Sequence, residues 1–213
     1  MHVSIGLLTY RRPDFLKTTL HTLKKTTYPH TLTILDNASK DEETSKILAT
    51  ARAHVEVVDN PLFVGTAMNR LVASCQEYNP DLIVLTADDY AYVEDWLEKL
   101  VNWWKEAPHD IAITSMNWEP LYPWNSVQDT VTYGGQKGLI RSNIPGSSWS
   151  FRADMWPEIG PLQHITGGED LSVCTKLRTK LYKLAALDLS QHIGERESAW
   201  GNNSWKMARP LEF

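Results

Sequence analysis

Apolar side chains recur with two alternating periods through the first half of the chain. His2–Leu8 (HVSIGLL) is a short apolar run of strand length, and from Pro13 onward Phe15, Leu16, Leu20 and Leu23 recur at helical spacing. Thr31–Leu35 (TLTIL) reads as a second strand, Asp36-Asn37-Ala38-Ser39 as a turn, and Ile47, Leu48 and Ala51 as the apolar side of a helix. His54–Val58 predicts a third strand. Gly65 opens a helix with Ala67, Leu71, Val72 and Cys75 on its buried side. Asp81–Leu85 (DLIVL) predicts a buried strand, Val93–Trp104 an amphipathic helix and Ile111–Thr114 a further strand. Such alternation predicts an α/β fold with a mainly parallel sheet covered on both faces. Sheets of this kind bind ligands at the carboxyl ends of their strands, which singles out Thr9–Arg12, Asp36–Ser39, Asn60–Thr66 and Ala87–Tyr92.

The rhythm breaks after residue 115. Met116–Ser148 is rich in Pro, Gly, Asn and Trp, with weak strand signals at Thr130–Tyr133 and Gly138–Ile140. Regular patterns return at Trp149–Arg152, in a helix from about Glu169 to Leu181, and in a short strand at Lys183–Leu187; Leu189–Phe213 has little periodicity. No repeat or linker divides the 213 residues. The expectation is a single domain, with residues 1–115 as its regular half and 116–213 as an irregular, ligand-facing half with a C-terminal tail.

Composition narrows the class. Hydrophobic residues make up 42% and charged residues 22%, which excludes a disordered or low-complexity chain. No apolar run approaches the ~20 residues of a membrane-spanning helix, and MHVSIGLLTYRRPDF reads as a first strand instead of a signal peptide. Cys75 and Cys174 make no disulfide framework, so a reducing, cytoplasmic setting is expected. The net charge of −5 divides into −7 over residues 1–130 and +2 over 131–213. That excludes a general polyanion binder while leaving the second half able to face an anion locally. Six of the nine tryptophans (Trp118, Trp124, Trp149, Trp156, Trp200 and Trp205) follow residue 115. They are either flat platforms for sugars or bases, or the cover of a small core.

Carboxylates carry the candidate chemistry. Asp88 and Asp89 follow the strand DLIVL directly, and adjacent aspartates repel unless a cation or donors compensate them. A hard divalent cation would bridge them to phosphate oxygens, while a solvated turn capping the next helix is the plainer alternative. Asp36 closes another strand and could bind a nucleobase or ribose, or merely begin a turn. Glu169-Asp170, after Gly167-Gly168, opens a helix whose dipole favours acids. One of them could also serve as general base toward an acceptor hydroxyl. His192 could be a surface, core or metal-binding histidine.

In this order the segments resemble the GT-A nucleotide-sugar glycosyltransferases, in particular glycosyltransferase family 2. VSIGLLTYRRPDFLKTTLHTL resembles the family's first strand, nucleotide loop and helix. LTILDNASKDEE resembles the strand ending in the base-binding aspartate, and NPLFVGTAMNRLV the glycine-containing loop and helix. DLIVLTADDYAYVEDWLEKL resembles the segment with the metal-binding acidic motif. GSSWSFRADMWPEIG with GGEDLSVCTKLRTKLYKLA resembles the acceptor-side segment and base-bearing helix, and QHIGERESAW the late histidine element. The resemblance implies a GT-A fold, a Mn²⁺ or Mg²⁺ cofactor and a nucleoside diphosphate sugar donor, with uridine diphosphate the commonest carrier. It implies nucleotide contacts from Thr9, Tyr10, Arg12, Asp36, Gly65, Asn69, Arg70 and Asp88, and metal ligands Asp89 and His192. It further implies Asp170 as catalytic base with Glu169 beside it, and a sugar pocket bordered by Gly146, Trp149 and Arg152. One departure is Tyr90, where the acidic motif would carry a third carboxylate.

The implied reaction is inverting transfer of a sugar to a hydroxyl of a glycan or other small or cell-surface acceptor. A hydroxylated base in DNA is an alternative acceptor, given Lys137, Arg141, Arg152, Trp200, Trp205, Lys206 and Arg209 in the acceptor-side half. A non-catalytic nucleotide-sugar-binding module is another alternative. A nucleotidyltransferase would want a glycine-rich phosphate loop after the first strand, and Thr9–Pro13 holds no glycine.

Overall fold

Apolar runs without alternation make strands buried on both faces, and β1 (Val3–Thr9) is buried at every position. The computed structural model describes residues 1–117, 126–163 and 168–193. After β1 come α1 (Pro13–Leu23), β2 (His30–Asp36), α2 (Glu42–Thr50), β3 (His54–Val57), α3 (Val64–Gln76) and β4 (Leu82–Ala87). Pro13 starts α1, where a missing N–H leaves no helical bond unmade. The Asp41 carboxylate caps α2 by accepting from the Thr44 amide at 2.7 Å. β1 pairs in parallel with both β2 and β4, placing Thr9 beside Asp36 and Leu8 beside Ala87. The carboxyl ends of the three strands are therefore level.

The chain continues through β5 (Tyr90–Tyr92), α4 (Trp96–Glu106), β6 (Ile111–Ser115), β7 (Val127–Tyr133), β8 (Gln136–Arg141) and β9 (Ser148–Arg152). The one-turn α5 (Trp156–Ile159), then α6 (Glu169–Thr179), β10 (Lys183–Leu187) and β11 (Ser190–His192) follow. The nine-stranded sheet has the order β3-β2-β1-β4-β9-β6-β10-β8-β7. β9 lies antiparallel between β4 and β6, and β8 antiparallel between β10 and β7, so seven of the nine strands share one direction. The fold is thus the mixed α/β architecture with a mostly parallel sheet. On one face Trp96, Trp103 and Trp104 of α4 pack with Leu16 and Leu20 of α1. On the other, Met68 and Leu71 of α3 pack with Cys174 and Leu177 of α6. Both cysteines are free and buried. Among the described residues no helix is long and apolar enough to cross a membrane.

One element boundary differs from the sequence expectation, and two further features fill in what it left open. The helix expected from Val93 starts at Trp96, because Tyr90–Tyr92 pairs with β11 to make a second, two-stranded sheet. No local pattern reports that pairing. The expected irregular half contains a β7–β8 hairpin whose turn residues Gly134 and Gly135 have φ of 55° and 74°, the conformation a two-residue hairpin turn favours. Of the two readings open for the tryptophans, Trp149 takes the core one, and Trp156 is partly buried against that core. Trp149 is 1% exposed, and Trp156 stacks on Phe151 with centroids 5.7 Å apart. Trp118, Trp124, Trp200, Trp205, Lys206 and Arg209, with Gly167, lie outside the described residues.

Candidate active site

At the level carboxyl ends of β1 and β4, the Asp88-Asp89 turn closes onto the loop after β1. Asp88 Oδ2 accepts from the Thr9 hydroxyl at 2.7 Å and the Tyr10 amide at 3.1 Å. Asp89 Oδ2 accepts from Arg12 Nη1 at 2.6 Å and lies 3.1 Å from His192 Nε2. The same guanidinium stands 3.7 Å from Asp88 Oδ1. The Thr19 hydroxyl on α1 holds the turn from below, 2.7 Å from the Asp88 carbonyl and 2.8 Å from that of Tyr90. His192, 103 residues from Asp89, arrives through β11: it pairs with Tyr90, and the Ile193 amide donates to the Asp89 carbonyl at 2.8 Å. Beside them Asp36 is buried, its Oδ1 accepting from the Ser39 amide and hydroxyl. The Ser39 hydroxyl in turn accepts from the Arg11 amide.

The two adjacent aspartates titrate in opposite directions. Burial, then the neighbouring Asp89 charge, push Asp88 up to about 6 against the Thr9 hydrogen bond, the Arg12 charge and the Tyr10 amide. Burial also works to raise Asp89, but His192 and Arg12 outweigh it and hold that carboxyl below the ordinary range. Asp89 Oδ1 is buried without a hydrogen-bond partner among the described residues. In a native interior such an orphan calls for an explanation, a ligand among them.

Glu169 and Asp170 reach the same end of the sheet by a different route. The Ala87 amide donates to the Ser147 carbonyl at 2.9 Å, next to Gly146. The Gly146 amide faces the Asp170 carboxylate, and a Cβ added to Gly146 would stand 2.8 Å from Asp170 Cβ. Asp170 Oδ1 also accepts from the Leu171 amide at 2.8 Å. Gly168, at φ 82°, makes the left-handed bend that starts the helix. Burial raises Asp170 despite these amides, and burial together with the Asp170 charge raises Glu169. Glu169 Oε2 is buried without a partner among the described residues.

Several expected site residues have other partners. Arg70 donates to Glu56 at 2.7 Å, a carboxylate that Ser74 also binds, and so braces α3 against β3. Asn69 clasps the Leu162 backbone in both directions, at 3.0 and 2.7 Å, and a Cβ on Gly65 would run into the Gln163 carbonyl. Both residues therefore anchor the segment leading toward Glu169. Trp149 forms the floor under Gly146 instead of an open pocket wall. Arg152 binds the carbonyls of Trp104 and Ala107 at the end of α4 and lies over the Trp104 ring, at the amino end of the sheet. Arg141 is likewise at that far end and buried, so these two do not line a nucleic-acid surface beside the carboxylates.

Tyr90, at the departure from the acidic motif, turns inward. Its ring meets His192 edge-on at 5.3 Å and its hydroxyl lies 2.6 Å from Ser147 Oγ. Sequence reasoning missed Thr19 and Ser147, and named Ser39 only as part of the turn after β2. Thr19 left a signal as a polar residue on the apolar face of α1.

The donor set can be tested against a divalent cation. Two ligands at right angles on Mg²⁺, with bonds of about 2.0–2.1 Å, stand about 3 Å apart. Asp89 Oδ2 and His192 Nε2 are 3.1 Å apart, and Asp89 Oδ1 is unpartnered. Among the described residues no three His, Cys, Asp or Glu side chains gather as a ligand set. Asp89 and His192 would supply two ligands and leave the remaining positions to phosphate oxygens or water. The residues fit such a cation.

Fold and site together define an α/β domain whose carboxylates stand at the carboxyl ends of the strands, where sheets of this kind bind ligands. Residues 4–150 match the model of glycosyl transferase family 2, and the chain belongs to that family. It is similar to GalNAc-T7 crystallised with UDP, GalNAc and Mn²⁺ (TM-score 0.68, 15% identity, 95% of this chain and 45% of that one). It is also similar to S. aureus TarS 1–349 (TM-score 0.63, 14% identity, 88% and 58%). A third similar structure is Mycobacterium tuberculosis glucosyl-3-phosphoglycerate synthase with Mn²⁺, UDP and glucosyl-3-phosphoglycerate (TM-score 0.57, 13% identity, 89% and 71%). At these identities the likeness is one of fold, and the chain spans about half the length of the first two. No curated protein matches it in sequence.

Proposed function

We propose that the chain is a metal-dependent, inverting glycosyltransferase. It moves a sugar from a nucleoside diphosphate sugar, with UDP as the carrier, to a hydroxyl of a glycan or another small or cell-surface acceptor. The observation that carries this reading is the direct contact of Thr9, Arg12, Asp88, Asp89 and His192 at one end of the sheet, to which Gly146 ties Asp170. The UDP and Mn²⁺ in the GalNAc-T7 and glucosyl-3-phosphoglycerate synthase structures support the choice of carrier and cation.

In this reading Thr9, Tyr10 and Asp36 bind the nucleobase and Asp88 the ribose side. Asp89 and His192 would hold the cation, which when bound would supply Lewis-acid neutralisation of the charge on the departing diphosphate. Asp170 takes the proton of the attacking hydroxyl. Burial makes it a stronger base than a solvated aspartate, and the Gly146 and Leu171 amides fix its orientation. Attack from the face opposite the diphosphate inverts the anomeric centre. Glu169 positions the donor sugar or the acceptor.

A panel of nucleotide sugars, incubated with simple glycoside acceptors and Mn²⁺, tests the reading through release of free nucleotide. A UDP-sugar should release UDP faster with Mn²⁺ than with chelator. Binding without any release would favour a non-catalytic module, and neither binding nor release would end the proposal.

A further inference from the structure

The two oxygens of Asp89 stand in unequal settings. Oδ2 receives both Arg12 at 2.6 Å and His192 at 3.1 Å, while Oδ1 is buried without a partner among the described residues. Arg12 precedes α1 and its side chain is 14% exposed, with the Asp88 and Asp89 carboxylates as its ion-pair partners. The guanidinium thus stands where a cation would neutralise the aspartate pair. A dication on Asp89 would lie within a few ångströms of this guanidinium, in a buried place where like charges repel strongly. A diphosphate changes that balance, because its oxygens accept bidentately from a guanidinium and bring negative charge of their own.

We propose that Arg12 is the resident counter-ion of the Asp88–Asp89 pair, which keeps a divalent cation off Asp89 until a nucleoside diphosphate draws the guanidinium onto its phosphate oxygens. This rests on the reading of the cleft as a nucleoside diphosphate site. Its consequence is an order of binding: nucleotide first or together with the cation, never the cation alone. A static acidic site would show no such order.

Mn²⁺ alone is the probe, titrated into nucleotide-free protein and followed by calorimetry and by loss of the aqueous Mn²⁺ spin-resonance signal. Arg12→Gln should bind Mn²⁺ about ten- to hundredfold more tightly than the wild type, the scale of one charge-assisted hydrogen bond. Arg12→Lys, which keeps the charge, should gain much less. Adding Asp89→Asn to Arg12→Gln should abolish the gain. At saturating Mn²⁺, Arg12→Gln should bind UDP about tenfold or more weakly. Thermal unfolding confirms that each variant is folded. Equal Mn²⁺ affinities for wild type and Arg12→Gln would overturn the proposal, as would a gain that survives Asp89→Asn. A wild type that binds no nucleoside diphosphate at any Mn²⁺ concentration would instead overturn the functional reading, since the Mn²⁺ titrations contain no nucleotide.

Discussion

At one corner of the site Asp89 is compensated by cationic side chains; at the other neither Asp170 nor Glu169 is. Asp89 meets a guanidinium and an imidazole and is held below the ordinary carboxylate range. Asp170 and Glu169 meet backbone amides and burial, and both are raised. A carboxylate that must bind a cation benefits from staying ionised under all working conditions. One that must accept a proton benefits from an environment that makes it a better base. Separate environments push similar side chains toward different work, and neighbours, not residue type, divide the roles.

The contrast breaks most sharply at the base. Asp170→Asn should lower transfer about 10²–10⁴-fold while leaving UDP affinity within a few-fold. Single-turnover kinetics with parallel calorimetry measure both, and near-normal turnover would remove the base assignment. Because Asp170 is raised, kcat/KM of the wild type should fall on the acid side with a midpoint above the ordinary 3.8. Gly146→Ala forces a methyl group against Asp170 and should cost about tenfold in kcat, the effect of ~1.4 kcal/mol in the barrier. UDP affinity should not change, and equal losses in both quantities would mean that the two corners are not separable.

Asp88 sharpens the comparison through stability. Its folded value lies above the unfolded one, so the native state binds more protons and loses stability as pH rises from about 4 to about 6. Asp88→Asn removes that loss. The variant should be more stable than wild type by about 1–3 kcal/mol at pH 7.5, with the difference vanishing toward pH 4. Thermal melts at the two pH values decide the sign, and nucleotide affinity should drop. The smallest effect is expected at Arg70→Ala, which breaks a half-exposed pair with Glu56 and should cost less than about 1 kcal/mol with UDP affinity intact.

Legibility in the sequence followed the range of each interaction. The strands β1, β2 and β4 and the helices between them stand out as local periodicity, and Thr9, Asp36 and Asp88 fall where the sheet rule places ligands. Arg70 and Arg152 misled for the complementary reason. An arginine near a motif looks the same whether it faces a phosphate or caps a helix, and the partners that settle the matter lie 14 residues away for Arg70 and 45–48 for Arg152. Tyr90–Tyr92 was unreadable as a strand because its partner is β11, near residue 191.

The order of apolar and polar residues was thus enough to specify an α/β sheet, its ligand-facing end and the acidic residues placed there, since periodicity and strand ends are local properties. Which carboxylates became compensated, which stayed basic, and that Arg12 and His192 share one oxygen of Asp89 were settled in the folded chain. Charge interactions and burial depend on distance in space, and contacts across 77 and 103 residues leave no mark on local pattern.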